Sequence, residues 1–447
     1  MVIGGGAAGL SAALFAARAG AAVTMIDKNE KFGKKLYITG KGRCNLCNAC
    51  DTEEFLRNVP RNPRFLYSAL KFLSPDDLQR LMNELGCETK VERGNRVFPV
   101  SDHASDVSRA FLNALRGQAL KLQVEALGLV IEEGRVTGVR VCDAQGERVI
   151  PCDCAVLATG GVSYPVTGST GDGLRFAQEA GHTIVPLRPS LVPLEVREPW
   201  VKQLQGLSLK NICLSAAVHG KIKYCEMGEM LFTHFGVSGP LVLTLSSVLA
   251  TADWPQVQVT LNLKPALTPE QLDARLLREF AAAPRKQLQN ILPALLPARL
   301  AEVFPALCGV SAIKQPAQIT AAERARIVSA LQSLPLTVTG TRGMDEAIVT
   351  CGGVSVREIV PATMMSKKVN GLFFAGEMMD VDAFTGGFNL QIAFSTGAQL
   401  VSPRPCRRAG TSSLHPVRDA ARWISHDCLR VISMGNESQF TAHRRQP

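Results

Sequence analysis

No uninterrupted apolar run in this chain approaches the roughly 20 residues needed to span a bilayer. PLVLTLSSVLA, Pro240 to Ala250, comes nearest and is too short. Nothing resembling a basic region, an apolar region and a cleavage site stands ahead of MVIGGGAAGL, so the start does not read as a secretory leader. The 13 cysteines are odd in number and lack the spacing of a small disulfide framework. Together with the missing leader, they point to free thiols in a reducing cytoplasm. We find no internal repeat, and aromatics are few. These absences leave an ordinary globular composition and exclude a membrane-spanning or disulfide-stapled protein.

What is present is a 447-residue chain, enough for two or three cores. Its net charge of +10 is unevenly spread. From Ser402 onward eight arginines face only Asp419, Asp427 and Glu437, and the body before them is mildly basic. A solvated surface accounts for that charge more readily than RNA contact does. The same stretch carries three of the seven histidines and little apolar periodicity. We expect residues 402–447 to be an atypical, poorly ordered tail or an altered reading frame, and assign them no chemistry.

The first 27 residues read as strand, turn, helix, strand. Val2 and Ile3 open a strand so short that we expect residues to be missing before Met1. Gly4, Gly6 and Gly9 follow in G-x-G-x-x-G spacing, with Ala7 and Ala8 between them. The first glycine permits the tight turn, the second lets a pyrophosphate touch backbone, and the third brings helix close to strand. The helix N-terminus then faces the phosphates. Asp27, followed by Lys28, ends the second strand 18 residues beyond Gly9, where an acid accepts hydrogen bonds from an adenosine ribose. This context points to a bound dinucleotide.

Helical spacing recurs at residues 76–85 and 105–115, and residues 120–149 read as an antiparallel meander. CAVLATGG is a buried strand running into Thr159 and Gly160. Prolines and alternation from Pro186 onward suggest a β-rich part. Thr268-Pro269 opens a helical stretch, and VNGLFFAGEMMD returns to a buried strand. The expected organisation is an α/β, Rossmann-like fold of the two-dinucleotide-binding type, interrupted by a β-rich domain and a small helical domain. Its segments are 1–187 and 351–401 for the dinucleotide fold, 188–265 and 335–350 for the β-rich part, and 266–334 for the helices.

Three separate glycine-bearing strand ends suit FAD better than NAD. Gly376 and Glu377 follow the late strand, with Glu377 placed to bond a ribityl chain. Gly386 and Gly387 precede an apolar helix containing Asn389, whose N-terminus suits the negative charge of a reduced flavin. Only one convincing nucleotide fingerprint is present, so a nicotinamide donor, NAD(P)H, is expected to visit and leave.

The combination of GGGAAGLSAA, GKKLYITGKGRCN, RVFPVSDHASDV, LATGGVSYPVTGSTGDG, SLVPLE, LFTHFGVSGP and GLFFAGEMMDVDAFTGGFNLQ resembles the BaiN/RdsA (YhiN-like) family of bacterial flavoproteins from Val2 to about Leu400. That resemblance implies FAD and an oxidoreductase. The activities it brings are uridine reduction in large-subunit ribosomal RNA, bile-acid or steroid double-bond reduction, and amine oxidation. The tail after Leu400 departs from the family's short ending.

GKGRCNLCNAC places Cys44, Cys47 and Cys50 three apart, like metal ligands. No fourth Cys or His follows at ligand spacing, and His103 is too distant to be inferred as one. The family pattern accounts for Gly42, Arg43, Cys44 and Asn45 without a metal, so we expect no metal and a flavin clamp. Lys35, Gly40, Arg43 and Asn45 are its expected contacts. Cys44 and Tyr164 are the candidate proton donors, each weighed against a plain packing role. His234 and Ser238 are candidate substrate contacts at a helix start. The expected acceptor is uridine in ribosomal RNA, aided by Lys28, Lys31, Lys34 and Lys41, residues that a plain solvated basic face explains at least as well. A small-molecule enoate or amine oxidoreductase and a non-catalytic flavin-bearing sensor are the rivals. The sequence carries no signal of oligomeric state.

Overall fold

The computed structural model describes residues 1–400; the expectation for residues 402–447 lies outside the described residues. A seven-stranded sheet forms the base of the fold. Its order runs Ile359–Val360, Met365–Ser366, Leu372–Phe374, Ala155–Leu157, Val2–Ile3, Thr24–Asp27, Ala119–Leu122. The last five strands are parallel, with Val2 in register with both Val156 and Met25. They are short, and all but the exposed edge strand Ala119–Leu122 are largely buried, as strands covered on both faces must be. Their C-terminal ends feed the glycine-rich turns, the position where open α/β sheets bind ligands.

One expectation is corrected here. Leu120 does not begin the meander. Ala119–Leu122 pairs in parallel with Thr24–Asp27, and the meander runs through Glu125–Glu132, Arg135–Asp143 and Gly146–Pro151.

Helix Ala7–Arg18 packs directly on helix Phe388–Ala398. A Cβ on Gly397 would stand 2.3 Å from the Ala8 carbonyl oxygen, so the two backbones nearly touch. One hydrophobic cluster collects this sheet and its helices from Val2 to Ala177 and from Val354 to Leu400. A second seven-stranded sheet, antiparallel and running from Leu334–Leu336 to Val338–Thr341, belongs to a second cluster spanning Leu194 to Val338. The helices Pro269–Ala282, Ala298–Leu307 and Ala321–Gln332 contribute to that same cluster. The first of them starts where Thr268 and Gln271 form a reciprocal cap with Pro269 in the first turn. A two-stranded ribbon, Ile184–Ser190 against Val349–Val354, carries the chain between the two clusters. Among the described residues no helix is long and apolar enough to cross a membrane.

Candidate functional site

A cavity of about 1150 Å³ opens at the C-terminal ends of the parallel strands. Small-ligand clefts measure roughly 300–1,000 Å³, so this one suits an extended dinucleotide. The three glycines of the first turn divide their work as their spacing implies. Gly4 has φ +98°, and a Cβ there would stand 2.6 Å from Ala158 O. A Cβ on Gly9 would stand 1.8 Å from Gly4 O, which forces helix onto strand. A Cβ on Gly6 would meet nothing within 4 Å, yet Gly6 lines the cavity. Its bare backbone is the surface a pyrophosphate needs.

Two helices begin on this cavity. Ala7 and Ala8 open one and Phe388 and Asn389 the other, and all four line it. First-turn N–H groups have no partner inside their own helix, so both ends favour anions. Gly386 and Gly387 shape the second start, at φ +128° and +100°. A Cβ on Gly387 would lie 2.4 Å from the Cys47 carbonyl. Asn389 clasps the preceding loop, accepting from Ala383 N at 2.8 Å and donating to Ala383 O at 2.6 Å.

Asp27 lines the cavity and also clamps the turn. Its Oδ2 accepts from Gly5 N at 2.7 Å, and its Oδ1 from Asn29 N at 2.9 Å. Lys28 pairs with Asp172. Glu377 accepts from Lys35 Nζ at 2.8 Å, Ser163 Oγ at 2.7 Å and Thr350 N at 2.9 Å. Burial works against its charged form, but the Lys35 ammonium and these donors hold the carboxyl below its usual value. Thr159, Gly160, Gly376, Lys35, Gly40, Asn45 and Tyr164 line the same cavity. Asn45 Oδ1 is buried without a hydrogen-bond partner among the described residues, an acceptor left unmet.

Four expected residues stand elsewhere. Arg43 does not line the cavity; it bonds Glu92 at 2.8 Å and Asp102 at 3.1 Å and lies 3.9 Å above the Phe98 ring. Its cation clips the loop to a neighbouring hairpin, because two carboxylates reach it there. Cys44 is fully buried with φ +62° and does not line the cavity, and burial pushes its thiol up to about 12. His234 is exposed beside Phe235, and Ser238 lies in a strand pair with Leu231; neither lines the cavity, although Pro240 does. Cys47 is buried with its Sγ 3.7 Å from Pro75 O. Among the described residues no group of three His, Cys, Asp or Glu side chains converges as a metal requires.

A labelling experiment checks the thiols. Among the described thiols, iodoacetamide at pH 8 is expected to label exposed Cys225 first in the native protein and to leave Cys44 and Cys47 unlabelled until denaturant is added. Early labelling of Cys44, read by peptide mass spectrometry, would overturn this placement.

Ser163, Thr350 and Asn48 were not legible in the sequence. Thr350 Oγ1 accepts from Val162 N and Ser163 N, and Asn48 Nδ2 donates to Gly386 O at 3.3 Å. These partners lie 187 or more residues apart in the chain, beyond any local signal.

Comparison with known proteins agrees with this geometry. The chain is 33% identical over 409 residues to a 3-dehydro-bile acid delta(4,6)-reductase of Clostridium scindens, covering 89% of this chain and 96% of that protein. It is 31% identical over 398 residues to a ribosomal RNA dihydrouridine synthase of Escherichia coli, covering 89% and 95%. A protein of the same name from Haemophilus influenzae is 31% identical over 408 residues, covering 89% and 96%. The family described as "HI0933-like protein Rossmann domain" matches residues 1–401. The chain therefore belongs to the HI0933-like family of Rossmann-domain proteins, the group to which its BaiN/RdsA motifs pointed.

Proposed function

We propose that this chain is an FAD-dependent oxidoreductase that saturates a conjugated double bond, with uridine in large-subunit ribosomal RNA as the preferred acceptor and NAD(P)H as donor. The observation that carries this reading is the convergence of two helix N-termini and the open Gly6 backbone on one long cavity. When bound, FAD supplies two-electron hydride transfer at its N5 atom. The residues that fit its holding are Gly6, Ala7 and Ala8 for the pyrophosphate, Asp27 for the ribose, and Lys35, Glu377 and the Phe388–Asn389 helix start for the ring end.

Addition across a double bond also needs a proton. Tyr164 lines the cavity in a left-handed conformation, φ +51°, and its hydroxyl makes no hydrogen bond among the described residues. We assign it the donor role that buried Cys44 does not fit. A uridine reaches such a site only when unstacked from its helix.

The second reading is a small enone such as a steroid. It is favoured by the exposed aliphatics Ile38, Val166 and Ile348 lining the cavity and by likeness to the bile acid reductase. One experiment separates the two. The protein is reduced anaerobically with NADH or NADPH, then mixed with unmodified ribosomal RNA or with a 3-keto-4-ene steroid. Flavin reoxidation with dihydrouridine formation is the expected result. Reoxidation by the steroid alone would replace the RNA reading with the second.

A further inference from the structure

We infer that Lys41 and Arg96 form a phosphate-recognition pair at the rim of the cavity, for the phosphate of a nucleotide that enters it. The inference rests on the reading of the cavity as a nucleotide-chemistry site and adds to it the residues that receive a nucleotide from outside.

The cations around the cavity separate into two groups. Lys28 is paired with Asp172, Lys34 with Glu30, Lys35 with Glu377, and Arg43 with Glu92 and Asp102. These charges are neutralised within the fold. Lys41 and Arg96 also line the cavity, both are exposed, and neither meets a carboxylate among the described residues. Arg96 donates only from Nε, to Arg93 O at 3.1 Å, which leaves its terminal nitrogens open for a bidentate anion.

Their backbones are held in place. Lys41 has φ +60° between Gly40 at +56° and Gly42 at +87°. A left-handed lysine is uncommon, and such strain collects where a side chain must be aimed. Arg43, two residues on, clips this loop to the hairpin that carries Arg96, since its partner Glu92 is paired in register with Arg96. The turn beside Arg96 is fixed in its own right. Ala49 N donates to Asn95 O at 2.7 Å, and Asn48 Nδ2 donates to Gly94 O at 3.0 Å. The fold thus presents two exposed, unneutralised cations, one on a braced loop and one at the start of a braced strand, lining a cavity whose less exposed cations are already matched.

A nucleotide phosphate reaches this rim from two sources, the ribose phosphates of NADPH or the phosphodiester backbone beside a target uridine. The test uses the full flavin-loaded chain carrying Lys41→Asn and Arg96→Gln together; asparagine accepts the left-handed conformation, so the loop is preserved. Lys221→Gln with Lys223→Gln, the same loss of two positive charges on an exposed strand away from the cavity, is the control. Two quantities are measured: NADP+ affinity from the perturbation of the oxidised flavin spectrum, since NADP+ carries the phosphates of NADPH without reducing the flavin, and affinity of the oxidised protein for a ribosomal RNA fragment across salt concentrations. We expect a loss of about tenfold in one of them. A loss for NADP+ assigns the pair to the donor nucleotide. A loss for RNA, with the slope of log affinity against log salt reduced by about 1.4, assigns it to the phosphodiester backbone. If both affinities match the control, the pair does not exist. Neither measurement needs dihydrouridine to form, so failure of the wild-type protein to reduce RNA would remove the functional reading and leave this test standing.

Discussion

Gly9→Val is expected to yield no folded, yellow protein, whereas Gly6→Ala folds normally and loses cofactor. The contrast follows from what each added carbon meets. At Gly9 the Cβ would lie 1.8 Å from a backbone oxygen, Gly4 O, and the turn carrying that oxygen is itself tied down by Gly4 N to Ile26 O at 2.9 Å. Helix and parallel sheet must separate to admit it. Overpacking in a close-packed core costs about 1–3 kcal/mol when side chains can yield, and here the obstacle is backbone, so about 3 kcal/mol or more is expected. At Gly6 the Cβ meets no protein atom within 4 Å and projects where we place the pyrophosphate. Loss of about tenfold or more in flavin affinity, without a change in melting temperature of the flavin-free protein, is the expected result. Thermal melts and flavin titration measure the two effects. A stable Gly9→Val, or a Gly6→Ala that holds flavin as tightly as the parent, would contradict the site described above.

Arg61→Met is expected to cost about 3–5 kcal/mol, the range for removing one partner of a buried ion pair. Arg61 forks onto Asp382, with Nε 2.6 Å from Oδ1 and a second bond from Nη2 to Oδ2, while Nη1 reaches Ser247 O at 2.7 Å. Ser190 Oγ adds a bond to Asp382 at 2.9 Å. The Asp382 side chain is 1% exposed, so without Arg61 its charge has neither water nor cation. Geometry makes this more than a local loss. Val381 and Ala383 belong to the first hydrophobic cluster, while Leu241, Val242 and Leu245 of the helix carrying Ser247 belong to the second. The guanidinium fastens one to the other at Asp382, one residue on from Val381, which lines the cavity. Arg61→Lys keeps the charge without the fork and should fall between parent and Arg61→Met. Adding Asp382→Leu to Arg61→Met should recover much of the loss, since the stranded charge is then gone. Urea denaturation reads all three. A cost below about 1 kcal/mol for Arg61→Met would show that the pair contributes little.

The local pattern was enough for the first turn of the fold. The spacing of Gly4, Gly6 and Gly9, and Asp27 at the strand end, are constraints among neighbours: Gly4 and Gly9 lie against backbone, and Gly6 stays open to the cavity. The late glycines were legible for the same reason, because a left-handed residue ahead of an apolar helix announces itself over a few positions. Leu120 was misread because its strand pairs with Thr24–Asp27, about a hundred residues upstream, and a parallel partner leaves no turn signal in between.

Arg43 shows the limit from the side of charge. Beside glycines in a flavin-type loop it reads as a cofactor cation, but Glu92 and Asp102 arrive from a distant hairpin and neutralise it. Cys44 reads as a thiol near a flavin, but closure of the core removed the water that its ionisation needs. By itself the sequence determined the dinucleotide turn, the family and the free-thiol character of the described cysteines, since these follow from residue type and short spacing. Only the tertiary structure decided which cations are matched and which remain open at the cavity rim, because pairing and desolvation depend on what folds against a residue and not on what precedes it.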